Sequence, residues 1–410
     1  MPFSQPTSEV QSRKIVTLAG TVIGLVVMGD SLMYTLLPLS AASLGIPLAG
    51  VGTLLSINRL VRLVSNMGAG ILHHRFGQRL PFILSTFLGL FTTLVYGLGK
   101  GFVVFLVARA IWGAAWSSLR QGAYQATWTS SRDDKGELMG ILWKLIRLGS
   151  AISVLIGGIV FDRYGFQTSV WVILIAGLPA IPLSLTLPWP RGRGYRGLPK
   201  EGSGSRLEIL DHPVRRWLVA SALADGVFQS TLVSTVSLFL AGLLGRHDFN
   251  QDTLLGVGSI AGGVLMVRWI SGIFVAPAIG KLSDRFTHGR MAVVLAFTTF
   301  CAVLLVALGN LLAIPSLLVI FLVGSGLFVT LNASASRIAA QSRYPNLFAG
   351  AFNTAVDIGT ALGPLFAYSL VGAFGLLPLY VLTGVLQFLI ISRYWWAESK
   401  TAHPYAKLGP

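Results

Sequence analysis

Eleven ionisable side chains stand inside long apolar runs of this 410-residue chain, where a charge has no water to hydrate it. Eight are basic: Arg59, Arg62, Arg109, Arg120, Lys144, Arg147, Arg268 and Arg337. Three are acidic: Asp30, Asp225 and Asp357. At about 2.5–3.5 kcal/mol for each charge near the centre of a membrane helix, eight cations turned toward hydrocarbon would cost on the order of 20 kcal/mol. They must therefore face water, partners or a bound anion. Their spacing gathers them. Asn58, Arg62 and Asn66 recur every four residues with Arg59 adjacent, which draws a polar stripe along one helix face. Arg109, Trp112, Trp116 and Arg120 fall at steps of three, four and four, so two guanidiniums and two indoles share a face. Lys144 and Arg147 are one turn apart.

Six of these cations precede residue 150, and Asp30 is the one acid among the runs that hold them. A positively charged lining invites a carboxylate, a phosphate or a similar group. The reading assigns the anion to Arg59, Arg62, Arg109 and Arg147, with Lys144 and Arg268 assisting, and places Trp112, Trp116 and Trp143 against the apolar part of the solute. Asp30, Asp225 and Asp357 are the acids able to take up a proton inside a membrane. Apolar surroundings favour the neutral carboxyl and a nearby guanidinium favours the charged one, so movement of Arg109 relative to Asp30 would load and unload a proton. Two plainer readings stand beside these. Arg109 and Asp30 can form a structural salt bridge, and Arg120 and Arg337 lie close enough to helix ends to reach the interface with their long stems.

The elements that must position these groups are membrane helices. The chain is 53% hydrophobic and 11% charged, with a mean hydropathy of +0.72, and runs of about twenty apolar residues recur along it, each able to cross roughly 30 Å of hydrocarbon. A β-barrel is excluded, since barrel strands alternate polar and apolar at period two. Twelve spans are expected, near 15–39, 49–72, 80–99, 102–128, 137–160, 168–188, 214–244, 254–281, 290–311, 315–340, 347–371 and 375–396. One connection, 189–213, is long, polar and rich in glycine and arginine. It reads as a flexible basic linker between a bundle of six helices over 1–188 and a second over 214–410. The first run is too long and too polar at its end for a cleaved signal peptide and reads as a retained helix.

Lys and Arg give the orientation, because cytoplasmic loops carry their excess. One side collects Arg13, Lys14, Arg75, Arg79, Arg132, Lys135, Arg191, Arg193, Arg196, Lys200, Arg206, Arg215, Arg216, Lys281, Arg285, Arg290, Arg343, Arg393, Lys400 and Lys407, the other Lys100, Arg163 and Arg246. Both termini are expected on the cytoplasmic face of an inner membrane. The net charge of +16 thus reports topology and attraction to anionic lipid, and no nucleic-acid partner is expected. The halves also repeat each other. A shift of 210 residues carries Gly70, His74 and Arg75 onto Gly280, Asp284 and Arg285, and Gly140, Arg147, Gly149 and Gly165 onto Gly350, Asp357, Gly359 and Gly375. Asp30 meets Asp225 at a shift of 195, and the polar stretch Arg246–Thr253 can absorb most of the difference.

The run Gly70-Ile71-Leu72-His73-His74-Arg75-Phe76-Gly77-Gln78-Arg79 and its second copy, Gly280-Lys281-Leu282-Ser283-Asp284-Arg285-Phe286-Thr287-His288-Gly289-Arg290, are similar to the loop motif Gly-x-x-x-Asp-Arg-x-Gly-x-Arg/Lys of the major facilitator superfamily. In the first copy His74 replaces the acid; the second keeps it and has one inserted residue. Arg109-Ala110-Ile111-Trp112-Gly113 resembles the family's helix 4 motif, and Gly359-x-x-x-Gly363-Pro364 resembles an element usual in helix 5 of its antiporters, although helix 5 here has only Gly157-Gly158. The resemblance covers nearly the whole chain. It implies an all-α membrane protein of twelve transmembrane helices in two pseudo-symmetric six-helix bundles. It implies secondary active transport by alternating access, as antiporter or symporter, of a small solute coupled to protons or another ion. Gly70, His74, Arg75, Gly77, Arg79, Gly280, Asp284 and Arg285 would then form gate latches, the first made weaker or pH-sensitive by His74.

No Walker-type phosphate loop, His-Glu-x-x-His, Cys-x-x-Cys or Gly-x-Ser-x-Gly occurs, so neither ATP hydrolysis nor another enzyme activity is expected, and no catalytic residue, cofactor or metal. The single cysteine, Cys301, can make no intramolecular disulfide. His73 and His74 read as a loop pair. A monomer is expected. An anionic organic solute is the first functional reading; a proton-coupled multidrug efflux antiporter, favoured by Asp30 with Arg109, is the second; a non-transporting receptor or regulatory protein on the same scaffold is the third.

Overall fold

The computed structural model describes residues 9–128, 135–189, 211–246, 256–283, 285–342 and 345–402. Every regular element among them is a helix: α1 Glu9–Val26, α2 Met28–Ser40, α3 Leu48–Phe76, α4 Arg79–Leu98, α5 Phe102–Trp128, α6 Lys135–Gly177, α7 Ala180–Thr186, α8 Pro213–Arg246, α9 Val257–Ser283, α10 His288–Ala307, α11 Ala313–Ala340, α12 Pro345–Phe374 and α13 Leu376–Ala402. Most of the expected basic linker 189–213 and of the stretch Arg246–Thr253 lies outside the described residues.

Eleven helical stretches among the described residues are long and apolar enough to cross a membrane. α1 and α2 form one of them, Ser12–Ser40. Another, Gly136–Thr186, has 51 residues, about twice what a single crossing needs. It breaks at Gly165, whose φ of 79° would cost an L residue roughly 1–2 kcal/mol. The stretch is therefore two crossings, which brings the total to the expected twelve. Gly375, 210 positions on, has a φ of 74° between α12 and α13, so both repeats turn at the same place.

The helices run past several of the expected ends. The fifth crossing continues through Tyr164 rather than stopping at 160, because Asp162 and Arg163 are accommodated in its last turn. α3 continues to Phe76, leaving only Gly77 and Gln78 before α4. Gly70 is consequently inside a helix, and the residue that needs backbone freedom is Gly77, at a φ of 77°. His73, expected in a loop, is buried in α3, where its Nε2 lies 3.0 Å from both the carbonyl and the hydroxyl oxygen of Ser118 in α5.

Two compact units result: Met1–Arg196 with Val236–Ile270, and Gly197–Thr235 with Ser271–Pro410. In the first, α3 packs along α5, α1 and α2 along α6, and α4 along α5, around a core that includes Val22, Ile23, Phe82, Trp112 and Leu142. In the second, α10 packs along α11 and α13, around Leu218, Ala296, Leu331, Phe348 and Tyr394. Lipid tails are as apolar as leucine, so close approach of backbones does much of the holding. A Cβ on Gly149 would run into the backbone of Gly24, and one on Gly359 into the backbone of Leu223. The two glycines are related by the 210-residue repeat.

Candidate functional site

The first unit brings Asp30 of α2, Asn58 and Arg62 of α3, and Arg109 and Trp116 of α5 together. Arg109 is wholly buried. Its Nη1 donates to Asp30 Oδ1, its Nε donates to the Leu54 carbonyl at 3.0 Å, and its guanidinium lies 5.4 Å from the ring centroid of Tyr34. Asn58 Nδ2 donates to the same Asp30 oxygen at 3.1 Å. One carboxylate thus ties α2 to α3 and α5. The salt-bridge reading of Arg109 is the one observed.

Arg62 is different. It is 7% exposed, its guanidinium sits 5.1 Å from the Trp116 ring centroid, and among the described residues no carboxylate comes within 4.0 Å of it. Its Nε is buried without a hydrogen-bond partner among the described residues, as are Asn58 Oδ1, Tyr34 Oη, Trp112 Nε1 and Trp116 Nε1. A buried guanidinium with a ring on one side and an unmet Nε has the chemistry to hold an anion. One helical turn further along the stripe, Arg120 Nη2 donates to Asn66 Oδ1 at 3.0 Å, and Ser65 pairs with Ser117 at 2.8 Å. Arg59 follows Asn58 on α3 and is half-buried.

Other expected members are placed elsewhere. Trp112 packs 5.9 Å from Trp116 but is enclosed in the core, its ring beside Gly89 of α4. Trp143 packs edge-on to Tyr124 at 6.5 Å, partly buried against the same core, rather than joining the Trp112 and Trp116 pair. Lys144 is exposed and Arg147 half-buried on α6. Arg268 lies over its neighbour Trp269 at 5.0 Å. In the second unit Asp225 is buried and accepts from Gln387 Nε2 at 2.7 Å; Asp357 is half-exposed on α12.

Of the gate residues, His74, Arg75 and Arg79 are exposed around the α3–α4 turn. Arg75 stacks 5.5 Å from Phe76, and Arg79 Nη2 reaches the Leu185 carbonyl at 3.3 Å. Gly280 is helical in α9, and Arg285 is exposed. Asp284 lies outside the described residues. Among the described residues no cluster of three metal-ligating side chains occurs.

The sequence reading missed four partners. Tyr34 stands one turn from Asp30 on the same face, and Gln387 is an isolated amide in an apolar run; both patterns were available. Glu398 accepts from Gly289 N and from Arg337 Nη2, each at 2.7 Å, and so holds three helix ends in the second unit. Asp162 accepts from Gly258 N at 2.9 Å, Ser259 N at 2.7 Å and Ser259 Oγ at 2.5 Å. This carboxylate caps the N-terminus of α9, and no spacing in the chain announces a contact across 96 residues.

The family model of the Major Facilitator Superfamily matches residues 19–364. The chain belongs to the Major Facilitator Superfamily. Among its relatives in that superfamily, an uncharacterized MFS-type transporter of Methanocaldococcus jannaschii is 23% identical over 381 residues, 89% of this chain and 95% of the relative. The multidrug resistance protein MdtG of Enterobacter lignolyticus is 24% identical over 368 residues, 87% and 85% of the two chains. The crystal structure of a bacterial homolog of the human lysosomal transporter Spinster, inward-facing and occupied, has the same fold, with a TM-score of 0.76 at 17% identity over 97% of this chain and 98% of that one. The superfamily fold is that of a transporter, and the multi-pass helices make this chain an integral membrane protein.

Proposed function

We propose that the protein is a secondary active transporter of a small organic anion, working by alternating access and coupled to protons, with Arg62 as the anchor of the anionic group. The observation that carries the reading is the buried Arg62 guanidinium, stacked on Trp116 and without a carboxylate partner among the described residues. Such a charge is expensive in a membrane unless something negative visits it. Arg109 is already matched by Asp30, so it supplies the wall of the site rather than the principal charge. Arg59, Arg147 and Lys144 extend the positive lining along α3 and α6. Both termini face the cytoplasm in this reading, since that side collects the excess of Lys and Arg.

Purified protein screened by thermal shift against organic anions and amphipathic cations tests it. The wild type is expected to be stabilised by selected anions through mass action. Arg62→Ala should weaken that ligand by about 10- to 100-fold, the loss of one charge-assisted contact of about 1.5–3 kcal/mol, and Arg62→Lys should weaken it less. Stabilisation by cations alone would sink the anion reading.

A second reading has one observation in its favour. The relative from Enterobacter lignolyticus is named a multidrug resistance protein, and Asp30 is a buried acid that could meet a cationic drug. In that case amphipathic cations would compete and Arg62→Ala would leave their binding unchanged.

A further inference from the structure

The cytoplasmic third of α13 carries a charged face that transport does not use. Leu382, Leu386, Leu389, Arg393, Trp396 and Lys400 follow one another at steps of four, three, four, three and four, and all six are exposed. They form one stripe along the helix. Its first half is leucine. Its second half is two cations on one indole: the Arg393 guanidinium lies 5.8 Å from the Trp396 ring centroid and the Lys400 ammonium 3.7 Å from it.

Among the described residues no carboxylate lies within 4.0 Å of Arg393 or Lys400. The acid nearest in sequence, Glu398, is about 200° round the helix from Trp396 at 100° per residue, and it is held by Gly289 N and Arg337. That hydrogen bond also seats the first turn of α10 against Trp395, so exposed Arg290 adds a third positive group at the same end. A lone lysine or arginine at a helix end reaches for water. Here both are folded back over one ring.

We infer that this face binds one anionic phospholipid, its phosphate held by Arg393 and Lys400 beside the Trp396 indole and its acyl chains lying along Leu382–Leu389. Length and charge both fit. From Leu382 to Arg393 the helix rises about 16 Å at 1.5 Å per residue, one leaflet's share of roughly 30 Å of hydrocarbon. Exposed Val294 and Phe297 of α10 flank the same region, with Phe297 5.8 Å from Phe388 of α13. The occupant is a lipid rather than a free anion, because the cations end an apolar strip that lies in the bilayer.

The test uses delipidated full-length protein in neutral detergent. It is titrated with phosphatidylglycerol, with phosphatidylcholine of the same chains and with inorganic phosphate, and bound lipid is counted by native mass spectrometry. Wild type should retain one phosphatidylglycerol with about tenfold preference or more over phosphatidylcholine, as two basic groups near an anionic headgroup supply. Arg393→Gln/Lys400→Gln should bring that preference within about twofold of none. Arg215→Ala/Arg216→Ala, which removes the same charge at the start of α8, should keep it, and the unliganded melting temperature shows whether each variant is folded. Equal retention of the two lipids, equal loss in the two double variants, or displacement of the lipid by inorganic phosphate would overturn the inference.

Discussion

A guanidinium removed from water keeps its charge, so its surroundings must answer that charge in some way, and the two buried arginines of the first unit are answered differently. Arg109 has a carboxylate, a carbonyl and a tyrosine ring. Arg62 has a tryptophan face and, among the described residues, no carboxylate within 4.0 Å. The first is expected to behave as a strut and the second as a receptor. Breaking a buried pair from one side leaves an uncompensated charge, at a cost of about 3–5 kcal/mol, whereas removing both members costs much less. Asp30→Ala should therefore lower the melting temperature of the purified protein more than Asp30→Asn/Arg109→Gln does. A double variant less stable than the single one would show that the pair is not a unit. The list of intramembrane charges was legible in the sequence, since a charge among twenty apolar residues is conspicuous. The pairing of Arg109 with Asp30 was among the readings the sequence offered; that Arg62 would stack on Trp116 with no carboxylate within 4.0 Å among the described residues was not, because it depends on how α3 and α5 are placed.

At the scale of elements, period and punctuation carried most of the information. Eleven apolar stretches with one glycine break yield the twelve crossings, and the 210-residue repeat located Gly165 and Gly375, which share the left-handed backbone that turns one crossing into the next. Helix ends were read less well around α3, where His73 reads as polar punctuation although its Nε2 meets Ser118 across the helix interface. Long-range caps were invisible for the same reason. Asp162 supplies two acceptor oxygens to the first turn of α9, where backbone N–H groups have no intrahelical partner. Loss of an N-cap costs about 0.5–2 kcal/mol, so Asp162→Ala should speed amide exchange in a peptide covering 256–265 by about threefold to thirtyfold, while Arg163→Ala leaves it unchanged. Identical exchange in the two variants would mean that the cap contributes nothing to holding α9.

At the scale of the molecule, charge is distributed unevenly. The first unit buries or half-buries Arg59, Arg62, Arg109, Arg120 and Arg147, with Asp30 on Arg109, whereas in the second Gln387 donates to Asp225 and the Tyr368 and Tyr380 hydroxyls pack on Ser234 and Thr235. Solute charge and proton charge are therefore expected to be handled by different residues. In the proposed cycle the Asp30–Arg109 pair opens and closes as the conformation changes. Release of that pair would link proton uptake to a change of conformation, which is what coupling requires. In proteoliposomes with an imposed pH gradient, the transported anion should move against its own gradient in the wild type. Asp30→Asn, which keeps the shape of the side chain but cannot ionise, should abolish gradient-driven movement and spare exchange of labelled for unlabelled solute, because exchange needs no net proton transfer. Asp225→Asn and Asp357→Asn separate the remaining possibilities: loss of coupling in one of them, with Asp30→Asn intact, moves the proton site to the second unit. Full coupling in all three variants would remove Asp30, Asp225 and Asp357 as carriers of the proton, and the driving ion would have to be sought elsewhere.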